Sequence, residues 1–209
     1  MDTRLVAILR APSAARFPQV AEALAAAGVT CVEFTLNSAG CLDALRAARR
    51  RLPDTVALGV GTALTPEQVR QAHDAGAQFV VSPNVDVDVI DSAVRLGLPC
   101  FPGAFTATEV VAAWRAGATA VKIFPASAVG PSYLSYLRGP LPDVPMLPTG
   151  GIGIDDVAAY LRAGAIGVGL GGPLLGDALA GHGDLPGGDL AALAARAERA
   201  MAAARVERS

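Results

Sequence analysis

The stretch AWRAGATAVKIFP, residues 113–125, decides the fold. It reads as the end of an alanine-rich helix, then a glycine, then a short apolar strand closed by proline. Glycine stops a helix by taking the left-handed conformation that other residues resist. Four more stretches share this shape: AEALAAAGVTCVEFTL (21–36), QAHDAGAQFVVSPN (71–84), SAVRLGLPCFPGA (92–104) and AYLRAGAIGVGLG (159–171). The repeat puts strands near 5–10, 31–36, 56–62, 79–84, 99–104, 120–125, 145–150 and 167–171. A spacing of about 20 to 25 residues leaves room for one crossover helix between parallel strands. Eight such units predict an α/β protein, a single (β/α)8 TIM barrel spanning residues 1–209, with a last helix over 189–205. A doubly wound open sheet is the main competitor. It would carry a glycine-rich first turn, and the turn RAPSAARF (10–17) has no glycine.

Composition narrows the class. Hydrophobic residues make up 52% and charged residues 17% of 209, which is enough apolar surface for a substantial core. The net charge is −2, and the arginines are scattered except for Arg49, Arg50 and Arg51, the solvated end of a helix. A nucleic-acid partner would need a basic stripe, and none is present. No apolar run approaches the roughly 18 residues that span a bilayer, so no membrane partner is expected. The first strand begins almost at Met1 with no signal segment before it, and Cys31, Cys41 and Cys100 show no paired spacing. Reduced core cysteines and a cytoplasmic location are expected. His73 and His182 stand alone, which argues against a metal site.

Side chains alternate along a strand, so each strand sorts its residues into two faces. Around Lys122, Val121 and Ile123 suit the outer face against helices, which turns Ala120, Lys122 and Phe124 inward. In CVEFTL, Val32, Phe34 and Leu36 point outward while Cys31, Glu33 and Thr35 point inward. In LVAILR, Val6, Ile8 and Arg10 share a face, with Arg10 at the carboxyl end. Three inward ionisable residues thus come from three strands, and in barrels of this kind catalytic groups sit at the carboxyl ends of several strands.

Lys122 is the only lysine among 17 basic side chains. In an arginine-rich chain the surviving lysine should do what arginine cannot, which is to lose its proton and attack a carbonyl. Burial disfavours the charged amine, and a neutral amine forms a Schiff base with a ketone. A retro-aldol cleavage uses that imine as an electron sink and needs a base for the hydroxyl proton. Glu33 fits the base. The competing reading is a structural ion pair between Lys122 and Glu33. Glycine pairs follow the seventh and eighth strands, Gly150–Gly151 in PTGGI and Gly171–Gly172 in GLGGPLL. Backbone N–H groups at this place commonly bind phosphate, while ordinary turn chemistry is the alternative.

Together these residues resemble the 2-keto-3-deoxy-6-phosphogluconate and 2-keto-3-deoxy-6-phosphogalactonate aldolases, class I pyruvate-forming enzymes. The resemblance rests on AILR (7–10), VEFTLNS (32–38), GVGTALTPEQV (59–69), VSPN (81–84), PGAFTATE (102–109), AVKIFPASAVGP (120–131), PTGGI (148–152) and GLGG (169–172). It implies Lys122 as the Schiff-base former and Glu33 as the general acid/base. It implies Arg10 near the substrate carboxylate or a catalytic water, and Thr62 at the pyruvyl carboxylate. Pro83 and Phe124 would line the pocket, and Thr149, Gly150 and Gly151 would receive the rest of the substrate and its phosphate. It also implies a homotrimer that needs no cofactor beyond the covalent imine, with pyruvate and a keto-deoxy sugar acid as small-molecule partners.

Two departures bear on the substrate. Asn37 matches the galactonate branch, while Thr149 matches the gluconate branch. Gly172 stands where both branches usually place a phosphate-binding serine, and Pro173 lacks an N–H. A non-phosphorylated substrate such as 4-hydroxy-2-oxoglutarate therefore stands beside the phosphorylated ones. A metal-dependent pyruvate aldolase is disfavoured by the missing ligand cluster. An isomerase or synthase on the same scaffold, or a silent sugar-acid-binding barrel, are the readings of other classes.

Overall fold

The computed structural model describes residues 3–181 and 187–205. His182 lies outside the described residues. In chain order the elements are β1 Leu5–Leu9, α1 Phe17–Ala26, β2 Cys31–Thr35, α2 Cys41–Arg49, β3 Ala57–Gly61, α3 Pro66–Asp74, β4 Val80–Val81 and α4 Val87–Arg95. They continue with β5 Cys100–Phe101, β6 Gly103–Ala104, α5 Ala107–Arg115, β7 Val121–Ile123, α6 Gly130–Arg138, β8 Met146–Pro148, α7 Val157–Arg162, β9 Val168–Leu170, α8 Gly172–Leu175 and α9 Leu190–Ala204.

The helix–glycine–strand repeat closes as its composition predicts. Gly28, Gly76, Gly97, Gly117 and Gly164 all take positive φ, between 69° and 101°. After each, the next residue's N–H bonds to the carbonyl five residues back: Val29 to Leu24, Ala77 to Ala72, Leu98 to Ala93, Ala118 to Ala113 and Ala165 to Tyr160. This bond satisfies a carbonyl that the helix end would otherwise orphan and aims the chain into the strand. Helix starts are capped where the sequence supplies a short polar side chain. Thr65 accepts from Gln68 N–H, Asp86 from Val89 N–H, and Thr106 with Glu109 forms a reciprocal capping box.

Every strand pairing is parallel. The strands form a six-stranded sheet, β5-β4-β3-β2-β1-β9, and a three-stranded sheet, β6-β7-β8. This corrects the expectation of eight continuous strands. The segment expected over 99–104 is split at Pro102, which has no N–H for the ladder. The segment expected over 79–84 keeps only Val80–Val81, because Ser82 turns its hydroxyl to Asn84 O at 2.7 Å and Pro83 ends pairing. One isolated bridge, Thr149 to Gly169, links the end of β8 to β9.

The two faces of the strands bury different partners. One core lies between strands and helices and contains Leu5, Leu9, Val32, Phe34, Val121 and Ile123. Phe34 meets Phe17 of α1 edge-on, with centroids 5.1 Å apart. Removing such a ring typically costs about 3–5 kcal/mol. The second, smaller cluster joins Val6, Ile8, Cys31, Phe79, Val81 and Leu147 on the opposite face. The alternation read from the sequence therefore holds. Lys122 and Glu33 continue this second face toward the carboxyl ends of their strands.

Candidate active site

Lys122 is central in β7, flanked by Val121 and Ile123, whose side chains lock into the helix-side core. Its own side chain is 5% exposed, and Nζ stands 4.8 Å from the centre of the Phe124 ring. Burial pulls the ammonium below its ordinary range; the Glu33 carboxylate opposes this and the Arg10 guanidinium adds to it. Glu33 is 2% exposed in β2, and its Oε1 is buried without a hydrogen-bond partner. Burial pushes its carboxyl up, against the pull of Lys122 and Arg10. The two groups feel each other's charge, yet no N···O contact within 4.0 Å joins them. The structural ion pair is thus not formed. Burial thus disfavours the charged form of each group, while each one's charge favours the charged form of the other.

Arg10 lies one residue past β1 and is exposed, with Nη2 donating to Thr62 Oγ1 at 3.3 Å. Thr62 follows β3 with φ at 64°, a conformation a β-branched residue rarely adopts. Phe124 is half-buried between Lys122 and the glycine turn after β8. A Cβ on Gly150 would come within 2.8 Å of its ring, and one on Gly151 within 2.2 Å of Ser127 Oγ. Gly150 and Gly151 both take positive φ, at 96° and 72°. Thr149 is 4% exposed, with its hydroxyl donating to Leu147 O at 3.3 Å. Pro83 packs its carbonyl against Gly103, where a Cβ would approach to 2.3 Å. Gly171 and Gly172 face open space: no atom lies within 3.8 Å of a Cβ built at either. Asn37 is not gathered with Lys122 and Glu33 in any described contact. It is exposed and lines a surface groove with Gln68 and Gln71.

Sequence reading missed the inner face of β3. Its alternate positions are Ala57, Gly59 and Gly61, all small, and larger side chains of neighbouring strands lie over two of them. The visible signal was the alternation in ALGVG, large outward and small inward. An apolar cavity of about 290 Å³ opens beside Ala57, lined by Val6, Cys31, Phe79, Val81 and Phe101. It lies toward the amino ends of the strands and contains neither Lys122 nor Glu33. Among the described residues no three of His, Cys, Asp and Glu gather as metal ligands.

A family model described as "KDPG and KHG aldolase" matches residues 1–186. The chain is 39% identical over 171 residues to the 2-dehydro-3-deoxy-6-phosphogalactonate aldolase of Escherichia coli strain K12, covering 81% of this chain and 83% of that one. A solved structure named "Native KDPGal structure" superposes with a TM-score of 0.85 at 35% identity, over 96% of this chain and 94% of the other. The KDPG aldolase from Legionella pneumophila, with pyruvate captured at low pH as a covalent carbinolamine intermediate, superposes with a TM-score of 0.78 at 26% identity, over 95% and 93%. The match runs through the strand that carries Lys122 and the strand that carries Glu33, and the chain belongs to the KDPG and KHG aldolase family.

Proposed function

We propose that this chain is a class I aldolase that cleaves a 2-keto-3-deoxy-6-phospho-sugar acid, of the gluconate or galactonate type, to pyruvate and glyceraldehyde 3-phosphate. Membership of an aldolase family makes it a carbon–carbon lyase. The observation that carries the mechanism is the single lysine, buried and held below its ordinary pKa beside an unpartnered carboxylate.

In this reading the neutral Lys122 Nζ adds to the keto carbon, and loss of water from the carbinolamine leaves a protonated imine. Glu33 takes the proton of the C4 hydroxyl, directly or through a water. The C3–C4 bond breaks, its electron pair moves to the imine nitrogen as an enamine, and the aldehyde leaves. Glu33 then returns a proton to C3, and water hydrolyses the imine to release pyruvate and the free amine. The Legionella carbinolamine supports the first step for a relative. Arg10 and Thr62 are assigned to the keto-acid carboxylate, because a cation and a hydroxyl joined at 3.3 Å make a carboxylate-sized clamp. Pro83 and Phe124 wall the pocket. Thr149, Gly150, Gly151, Gly171 and Gly172 are assigned to the distal hydroxyls and the phosphate, and Asn37 to epimer choice.

A closed (β/α)8 barrel in one domain is part of this reading. Its support is the Thr149–Gly169 bridge on one side and the single residue Pro102 between β5 and β6 on the other. If both seams close, β2 and β7 stand opposite each other, and Glu33 and Lys122 share one interior. A homotrimer is also assigned; Val94 and Trp114, at 50% and 39% exposure, supply apolar surface for it. The location assigned is cytoplasmic, in keeping with three free buried cysteines. A second reading, cleavage of 4-hydroxy-2-oxoglutarate, is favoured by one observation: Gly172 and Pro173 offer no side-chain donor to a phosphate.

Borohydride added with pyruvate is expected to attach one pyruvyl group at Lys122. Lys122→Arg keeps the charge but is expected to lose that adduct and about 10⁴-fold or more of cleavage. Retention of a substantial fraction of activity by Lys122→Arg would replace the imine mechanism with a charge role.

A further inference from the structure

Two glycines in β3 are required for space and not for backbone freedom. Neither Gly59 nor Gly61 takes positive φ. Glycine inside a strand weakens it, so its presence there points to close approach by another group. A Cβ at Gly59 would lie 2.4 Å from the Phe79 ring. At Gly61 it would lie 1.7 Å from Glu33 Oε1 and 2.4 Å from Cδ of the same carboxyl. Glu33 Oε1 has no hydrogen-bond partner, and it is packed against the space where a side chain at position 61 would stand.

We infer that Gly61 is a positioning residue for the reaction: its bare Cα is the surface on which the Glu33 carboxyl rests, and that contact sets where the proton-carrying oxygen stands. The inference rests on the assignment of Glu33 as the acid/base. A side chain at position 61 would push the carboxyl off its seat while leaving Lys122, on β7, where it is. Imine formation and proton transfer should then come apart. Gly59 supplies an internal comparison, since the same added methyl two residues earlier would meet the Phe79 ring first.

The test compares Gly61→Ala, Gly59→Ala and the double variant Glu33→Asp/Gly61→Ala. Borohydride trapping of pyruvate reads imine formation, and exchange of pyruvate methyl protons with heavy water reads proton transfer. Gly61→Ala is expected to trap pyruvate within about threefold of the parent while losing about 100-fold in exchange, the usual effect of displacing a catalytic group by about 1 Å. Gly59→Ala should lower the melting temperature but leave the ratio of the two rates within about threefold of the parent. Shortening residue 33 makes room for the methyl, so the double variant should regain melting temperature over Gly61→Ala, while its exchange stays low because the carboxyl is drawn back by a methylene.

A folded Gly61→Ala with an unchanged ratio of rates overturns the inference, as does an equal change of ratio in Gly59→Ala. If Gly61→Ala does not fold, a folded Glu33→Asp/Gly61→Ala supports the inference and an unfolded one overturns it. If pyruvate is not trapped on Lys122 in the parent protein, the reading of the reaction falls on its own. A crystal structure of Gly61→Ala then decides the positioning claim: a displaced Glu33 carboxyl upholds it and an unmoved one ends it.

Discussion

Arg10 donates to Thr62 Oγ1 at 3.3 Å, and Thr62 holds a left-handed φ of 64° immediately after the glycine on which Glu33 rests. A non-glycine residue in that region stores about 1–2 kcal/mol of strain. Strain of this kind persists where a local conformation is needed to present a group. Thr62→Gly relieves the strain at an entropic cost of about 0.5–1 kcal/mol, so the net effect on stability is between about 0 and 1.5 kcal/mol of gain. The hydroxyl is lost, and KM for the keto acid is expected to rise. Thermal denaturation beside steady-state kinetics checks both. A drop in melting temperature for Thr62→Gly would remove strain from the account.

The charges around Lys122 make opposite claims on its proton. Glu33 raises its pKa and Arg10 lowers it. Imine formation needs the neutral amine, so its rate falls as pH drops through the Lys122 pKa. Glu33→Gln removes the stabilising anion and should move that acid limb to lower pH. Arg10→Met removes a repelling cation and should move it to higher pH. Trapping of pyruvate with cyanoborohydride across pH reads the limb for each variant, without requiring turnover. Shifts in the same direction for both variants would contradict the electrostatic arrangement.

Burying Lys122 and Glu33 costs stability at neutral pH. The lysine pKa is depressed from 10.5, so its burial costs nothing above that value and the cost grows as pH falls toward the folded-state value. The glutamate pKa is raised from 4.5, so its burial costs nothing below that value and the cost grows as pH rises through the folded-state value. Replacing both with apolar residues, Lys122→Met/Glu33→Leu, is expected to stabilise the fold by about 1–4 kcal/mol. That corresponds to a gain of about 2–4 °C per kcal/mol for a chain of this size. Lys122→Met alone should gain less, because it leaves the Glu33 carboxyl buried without its counter-charge. Melting temperatures for the two variants and the parent at pH 7 decide the matter. An unstable double variant would mean that these groups hold the fold together instead of burdening it.

At position 172 a Cβ would meet no atom within 4 Å, and the backbone there has no positive φ. Gly172→Ser is therefore expected to be tolerated without loss of melting temperature. If phosphate docks between the two glycine turns, the added hydroxyl supplies a hydrogen bond to a charged group, worth about 1.5–3 kcal/mol. The ratio of kcat/KM for phosphorylated over plain substrate should then rise by about tenfold or more. No change in that ratio would move the phosphate elsewhere or favour the plain substrate.

Much of this is legible in the sequence. The five glycine-terminated helices announce themselves because a left-handed helix stop is a local event, decided by one residue and its neighbours. The facing of Lys122 and Glu33 followed from strand alternation, also a local rule. The interruption at Pro102 was readable in principle, since proline cannot donate to a ladder, yet the apolar run around it suggested one continuous strand.

What the chain by itself determined is therefore the order of elements, the parallel sheet, and which side chains turn away from the helices. Only the tertiary structure decided what those side chains meet. The missing ion pair between Lys122 and Glu33 and the seat of the Glu33 carboxyl on Gly61 depend on distances between strands remote in sequence, and the left-handed backbone at Thr62 shows only in the fold. Local rules set the direction of a side chain. The packing of neighbouring strands sets the room in front of it, and an empty position such as glycine is informative only once the occupant of its space is known.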